Sequence, residues 1–327
     1  MKKLAEALLL IAIVGYAGTS FPQSALFSPR LTASVRSTKQ SGSRIQTIPF
    51  QSKLAGRTLP YNVLLPVDYY EPHTQTRRYP VIYLLHGLTG HYTNWLERTR
   101  LADHAVRYPL IIVMPEGNDG WYTDSATVAS DRYESYLIEE LIPDVEKRFR
   151  ASSDRSSRAI AGLSMGGYGA LKFAVKFPQT FAFAGSLSGA LGAASWTEAD
   201  LRGYEGIWRS LGPVFGPLDS PTRAGNDLLK LTRDLPANRI AGLPFLYIDC
   251  GTEDPLFQSN LDFASLLRSR KIPHEYRELP GGHTWNYWDA EVQEICGWPR
   301  RDLTGGRNAN CQFAVAHSEA FAEHHAN

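Results

Sequence analysis

The sequence predicts an α/β architecture, a mainly parallel central sheet with helices on both faces. Three observations carry that expectation. Short uninterrupted apolar runs of strand length recur along the chain, as strands buried on both faces require. Segments with helical spacing lie between them, so strand and helix alternate. A glycine-flanked turn, Gly162-Leu163-Ser164-Met165-Gly166, joins one such strand to one such helix.

The elements follow in order. Met1-Lys2-Lys3 is basic, and Ala7 to Val14 is an unbroken apolar run continuing through Gly15-Tyr16-Ala17. That is the pattern of a secretory signal peptide, with Gly15-x-Ala17 a candidate cleavage site. The run is too short to span a bilayer, and no cysteine stands near it to carry a lipid. Residues 1–24 are therefore expected to hold the signal and the start of a linker. Residues 25–44, rich in Ser, Thr, Arg and Gln without periodicity, continue that linker.

The ordered chain is expected over residues 45–298. Arg44 to Ser52 and Thr58 to Leu65 read as two antiparallel strands joined across Ala55-Gly56-Arg57. Pro80 to Leu85 and Leu110 to Met114 are buried strands, ending at His86-Gly87 and Pro115-Glu116-Gly117. From Asp131 to Arg150, Tyr133, Tyr136, Leu137, Leu141, Val145 and Phe149 form one helical stripe. Arg158 to Ala161 is a strand, Gly167 to Lys176 a helix stopped near Pro178, and Phe181 to Leu187 a strand. Phe245 to Ile248 and Glu275 to Leu279 are strands around a helix at Leu261 to Arg268. Between Ala190 and Ala241 the alternation lapses, and Trp196, Tyr204, Trp208 and Phe215 lie among Gly, Pro and charged residues. A partial cap over the sheet is expected there. Residues 299–327 carry no pattern and read as an irregular tail.

Composition narrows the function. The 327 residues are 43% hydrophobic and 20% charged with a formal net charge of +1, which argues against a broad basic surface for nucleic acid. No later stretch resembles a membrane span. Cys250, Cys296 and Cys311 are expected as unpaired thiols, a Cys296–Cys311 bridge being the alternative in an oxidising compartment. The chain lacks Cys-x-x-Cys and His-Glu-x-x-His, and His317, His324 and His325 sit in the polar tail. Neither a metal nor another cofactor is expected.

The chemistry gathers at the glycine-flanked turn. A sharp strand-to-helix turn lifts a serine hydroxyl clear of a sheet, and the glycines avoid collisions with neighbouring backbone. This makes Ser164 the candidate nucleophile. A serine needs a base, and His283, in Pro280-Gly281-Gly282-His283-Thr284-Trp285, follows a strand where a flexible turn can aim an imidazole over the sheet. His86, His91, His104 and His274 fit that role less well. The acid should come from Asp249-Cys250-Gly251-Thr252-Glu253-Asp254. Asp254, beyond a glycine-containing turn, ranks first, then Glu253 and Asp249. A tetrahedral oxyanion needs two donors: the Met165 N–H after the nucleophile, and one from His86-Gly87-Leu88-Thr89-Gly90, expected at Leu88. Trp95, Trp121, Tyr122 and Trp285 are candidates equally for pocket lining and for core.

With these residues in place the chain resembles the esterase D–type branch of the α/β-hydrolases, which includes tributyrin, feruloyl and acetyl esterases, S-formylglutathione hydrolases and mycolyltransferases. The resemblance rests on Tyr83-Leu84-Leu85-His86-Gly87, on Pro115-Glu116-Gly117-Asn118-Asp119-Gly120-Trp121-Tyr122, and on the turn extended through Gly167-Tyr168-Gly169-Ala170-Leu171. Cys250-Gly251-Thr252-Glu253-Asp254 and Gly281-Gly282-His283-Thr284-Trp285 complete it. It implies a nucleophile at Ser164, an acid at Asp254, a base at His283 and oxyanion amides at Leu88 and Met165. Asp254-Pro255-Leu256-Phe257 and the aromatic run after His283 look most like the tributyrin and feruloyl esterases. After Cys296 the resemblance stops at Gly297-Trp298-Pro299.

The expected function is that of an exported serine carboxylesterase acting on short-chain or aryl esters, feruloyl and acetyl among them. Its expected partner is a small-molecule or carbohydrate-linked ester, with no nucleic acid and no stable membrane span. The rival readings are transfer of the acyl group to an alcohol or sugar, a thioesterase like the S-formylglutathione hydrolases, and a non-catalytic carbohydrate-binding relative.

Overall fold

The computed structural model describes residues 43–298. The expected signal peptide, nearly all of the linker, the tail and Cys311 lie outside them.

Among the described residues eight strands form one sheet in the order β1-β4-β6-β5-β7-β8-β9-β10. These are β1 (Ile45–Ile48), β4 (Tyr61–Leu64), β6 (Ile111–Pro115), β5 (Val81–Leu85), β7 (Arg158–Leu163), β8 (Phe183–Leu187), β9 (Phe245–Gly251) and β10 (His274–Leu279). Only β4 runs against its neighbours, pairing antiparallel with β1 and with β6; every other pairing is parallel. The expected mainly parallel sheet with an antiparallel opening is therefore present.

The opening hairpin differs from expectation in one respect. Each of its two arms is broken, leaving β2 (Gln51–Ser52) and β3 (Arg57–Thr58) as a separate ribbon. The two ladders share one register, with Ile48 opposite Tyr61 and Gln51 opposite Thr58, which sets Pro49 against Pro60. Two residues without N–H groups face each other, so the ladder cannot continue through them. Gly56 turns the ribbon at φ +62°.

Side-chain alternation divides the core in two. Val81, Tyr83, Leu85, Ile111, Val113 and Ile160 point to one face, while Ile82, Leu84, Ile112, Met114, Ala159 and Ala161 point to the other. The period-two geometry of a strand produces this split, and each of the larger aliphatic side chains contributes roughly 1.5–3 kcal/mol when fully buried.

On the first face lies a helix that runs as a turn at Tyr133–Ser135, a π-helical stretch at Tyr136–Leu141 and α1 (Ile142–Arg148). Pro143 supplies no N–H to the carbonyl one turn earlier, and the widened turn accommodates it. The expected stripe from Tyr133 to Phe149 is buried throughout. Beside it is α2 (Met165–Lys176), buried at every residue from Met165 to Val175. The opposite face carries α5 (Trp285–Cys296), whose Val292, Ile295 and Cys296 join the second core.

The irregular stretch before β9 is helical after all, with α3 (Glu205–Phe215) followed by short helices at Pro221–Asn226, Leu228–Arg233 and Ala237–Ile240. It packs on the loop after β6 through Trp196 and Phe215 against Trp121, and on α2 through the Tyr168 hydroxyl donating to the Asn226 carbonyl at 2.7 Å. Buried Arg223 stitches it together, donating to the carbonyls of Ala194 and Gly216. After β9 comes α4 (Phe257–Ser269). Cys250 and Cys296 are buried and form no disulfide among the described residues. Among the described residues no helix is long and apolar enough to cross a membrane.

Candidate active site

Ser164 stands between β7 and α2 with φ 52° and ψ −115°, a conformation that side-chain-bearing residues rarely adopt. Holding it costs about 1–3 kcal/mol, and the surroundings over-determine it. Its N–H donates to the Leu187 carbonyl at 2.9 Å, and its carbonyl accepts from Tyr168 and Ala190. The flanking glycines have a steric cause. A Cβ at Gly162 would come within 2.6 Å of the Gly166 backbone, and one at Gly166 within 2.6 Å of the Leu85 carbonyl oxygen.

The candidate base and acid converge on this serine from two loops. His283 Nε2 lies 3.1 Å from Ser164 Oγ, and His283 Nδ1 lies 2.9 Å from Asp254 Oδ2. The chemistry of the pair assigns the tautomer: an ionised carboxylate can only accept, so Nδ1 carries the proton and Nε2 is free to accept from the serine. The Asp254 side chain is 0% exposed and the His283 side chain 11%. Its second oxygen, Oδ1, accepts from the Leu256 N–H at 2.8 Å, which fixes the carboxylate plane. The Trp288 indole meets the imidazole edge-on, with ring centroids 4.9 Å apart, and donates from Nε1 to Ser188 Oγ.

The two rival carboxylates serve other purposes. Glu253 is exposed, accepts from Thr252 Oγ1 and from the Gly281 N–H, and is held below the usual carboxylate range by those two bonds. It braces the turn that carries His283. Asp249 is fully buried and accepts from the hydroxyls of Tyr287 and Tyr247, while both imidazole nitrogens have other partners. Burial pushes its carboxyl up to about 8, with the nearby Glu291 carboxylate adding to the rise against the Tyr287 hydrogen bond.

The loop after β5 lies directly beside the serine. A Cβ at Gly87 would be 3.4 Å from Ser164 Cβ and 2.6 Å from Leu163 Cδ1, so only glycine admits so close an approach. Buried His86 shapes the loop: Nδ1 lies 2.8 Å from the Gly87 carbonyl oxygen, and Nε2 lies 3.0 Å from the Gly117 nitrogen and 3.3 Å from Glu116 Oε1. The neighbouring Thr89 N–H is taken by Asp119 Oδ1 at 2.7 Å. The backbone N–H groups of Leu88 and Met165 have no hydrogen-bond acceptor among the described residues. Met165 opens α2, where the first N–H groups are always left without an intrahelical partner.

Sequence reasoning passed over several residues that build this arrangement. Glu116, 5% exposed, accepts from the N–H groups of Gly117 and Asn118 and faces His91. Burial opposes its ionisation, yet His86 and the backbone donors hold its pKa below the usual value. Its signal in the sequence was the Pro115-Glu116-Gly117 strand end, which gave no partner. Of the four aromatic candidates, Trp95, Trp121 and Tyr122 are 1% exposed and belong to the core, while Trp285 is half-buried against Trp95 and Trp288. A cleft of about 770 Å³ opens in the helical segment before β9, between Leu201, Trp208 and Leu218, and none of the five candidate site residues lines it.

The family model described as "Putative esterase" matches residues 52–298. An acetyl esterase of Caldicellulosiruptor saccharolyticus is 29% identical over 260 residues, covering 78% of this chain and 97% of that protein. Esterase Rv1288 of Mycobacterium tuberculosis is 35% identical over 72% of this chain, and the chain spans only 55% of its length. Among solved structures, the substrate-bound fluorophosphonate-binding serine hydrolase F of Staphylococcus aureus superposes with a TM-score of 0.68 at 28% identity, covering 79% of this chain and 98% of that one. The fold is the α/β-hydrolase fold.

Proposed function

The chain belongs to this esterase family, and from that premise we propose that it is an exported serine carboxylesterase that cleaves short-chain or aryl esters through Ser164, His283 and Asp254. The observation that carries the proposal is the continuous hydrogen-bond path from Ser164 Oγ through His283 to Asp254, set beside the free Leu88 and Met165 amides. The acetyl esterase relative supports a small acyl group.

In this reading His283 Nε2 takes the hydroxyl proton as Ser164 Oγ attacks the ester carbonyl. Asp254 holds the Nδ1 proton in place and stabilises the imidazolium without accepting it. The carbonyl oxygen, now negative, is received by the amides of Leu88 and Met165. Imidazolium then protonates the departing alcohol, leaving Ser164 acylated. Water enters along the same path: His283 removes its proton, the hydroxide attacks the acyl carbon, and the proton returns to Ser164.

The test uses purified protein on p-nitrophenyl esters from acetate to decanoate and on methyl ferulate, alongside Ser164→Ala. Hydrolysis lost in the variant, with a chain-length profile falling beyond short acyl groups, supports the proposal. Hydrolysis unchanged in Ser164→Ala would remove the proposed nucleophile. Export is tested separately, by N-terminal sequencing of protein recovered outside the cytoplasm: a start near residue 18 supports it, and a retained Met1 contradicts it.

A further inference from the structure

The helix that begins at Ser164 contains a lysine that its surroundings do not need for packing. Lys172 lies on α2 and is 0% exposed. A methionine or leucine would fill that volume, whereas an ammonium costs heavily there unless it is fully paired. The partners are specific. Nζ donates to the Tyr122 carbonyl at 2.6 Å and to Thr123 Oγ1 at 2.7 Å, and its counter-charge is Glu134, 2.9 Å away. Glu134 also pairs with Lys176 at 2.6 Å.

The segment it grips is under strain. Trp121 and Tyr122 are consecutive non-glycine residues with φ of 50° and 49°, a conformation that relaxes unless something holds it. Tyr122 in turn faces the loop beside Ser164. Its hydroxyl donates to the His86 carbonyl at 3.1 Å, and its ring lies 5.8 Å from the His86 imidazole. The ring is wedged between Gly117 and Gly169, where a Cβ would come within 2.5 Å and 2.8 Å of it. An unbroken series of contacts thus runs from the Lys172 ammonium, through Tyr122, to the residue that precedes Gly87-Leu88.

We propose that Lys172 is a positioning residue for the proposed esterase reaction: its buried ammonium locks the strained Trp121–Tyr122 segment, and Tyr122 thereby fixes the loop that presents the Leu88 N–H to the oxyanion. The inference rests on the esterase reading of the same site. A group that positions an oxyanion donor affects the tetrahedral state and leaves ester binding nearly unchanged, because only the former carries the negative charge.

The experiment compares the full chain with Lys172→Met, Lys172→Arg and Tyr122→Phe. For each, kcat and KM on p-nitrophenyl acetate are measured together with affinity for a trifluoromethyl ketone, whose adduct places an oxyanion in the same position. In Lys172→Met, kcat falls on the order of 10- to 100-fold, as for a small misplacement of reacting groups. KM changes by less than about twofold, and affinity for the ketone falls in parallel with kcat. Lys172→Arg recovers part of the loss, and Tyr122→Phe shifts both quantities in the same direction by a smaller factor. A folded Lys172→Met with unaltered kcat and ketone affinity overturns the inference. If that variant does not fold, Tyr122→Phe decides, and unchanged kcat and ketone affinity in it overturn the inference equally. Wild-type chain that hydrolyses no ester would instead overturn the esterase reading, so the two failures are distinguishable.

Discussion

Asp249 and Asp254 leave the same strand end five residues apart and meet opposite fates. Asp249 sits within β9, walled in by Tyr247, Tyr287 and Glu291, and its carboxyl is driven well above the ordinary range by burial. Asp254, beyond the Gly251 turn, is equally enclosed but finds His283 Nδ1 at 2.9 Å and the Leu256 N–H at 2.8 Å. Burial alone therefore does not mark a carboxylate as the acid of the proposed triad. What matters is whether the enclosed oxygen meets a donor that strengthens when charge develops on the imidazole, and a neighbouring carboxylate such as Glu291 works against that. The comparison can be broken in three places.

The largest effect is expected from Asp254→Asn. The amide fills the same volume but can present an N–H to Nδ1 and favour the wrong tautomer, so kcat on p-nitrophenyl acetate should fall by roughly 10³- to 10⁴-fold with the fold intact. A fall below about tenfold would contradict the assignment.

Asp249→Asn should leave kcat within about twofold and change the pH dependence of stability instead. The folded pKa of Asp249 is raised, to about 8, so its contribution is fully present below the unfolded carboxylate value and is lost as pH rises towards 8. Urea denaturation between pH 5 and pH 8, values chosen to bracket that window, should show wild type losing on the order of a few kcal/mol relative to the variant. Parallel pH profiles would contradict the buried, proton-holding role. Glu116 and Glu134 have the opposite sign. Their folded pKa values are lowered, so the stability they contribute is present above the ordinary carboxylate value and is lost as pH falls through the folded one.

The smallest effect belongs to Glu253→Gln. Exposed and hydrogen-bonded to the Gly281 N–H, it braces the His283 turn from outside. Steady-state kinetics should show a loss below about threefold, as expected for an exposed polar contact. A loss comparable to that of Asp254→Asn would mean that the acid had been assigned to the wrong residue.

Much of this was legible in the sequence, for a physical reason. Strands buried on both faces must be continuously apolar, so Pro80 to Leu85 and Leu110 to Met114 stood out. The turn at Ser164 excludes Cβ atoms on both sides, so Gly162 and Gly166 had to be written into the chain. His283 was legible as a histidine after a late strand. The residues alone left three carboxylates open as acids, because the choice depends on where Tyr287 and Glu291 stand, some forty residues onward. The cap helices were hidden by Gly212, Pro213 and Gly216 inside and at the end of α3. Pro49 and Pro60 fall inside the two expected strands, and their opposition follows only from the register. Lys172 and Glu134 carried no signal in the sequence, since nothing in helical spacing reveals that a strained segment from elsewhere has closed over them.

The central claim is that Ser164 carries the acyl group. Mixing the chain with p-nitrophenyl acetate, quenching in acid within the first turnover and mapping the peptides by mass spectrometry tests it directly. The account predicts one acetyl group, located on Ser164 and missing from Ser164→Ala. Rapid p-nitrophenol release with the acetyl group on another residue, or with undiminished turnover in Ser164→Ala, would contradict it.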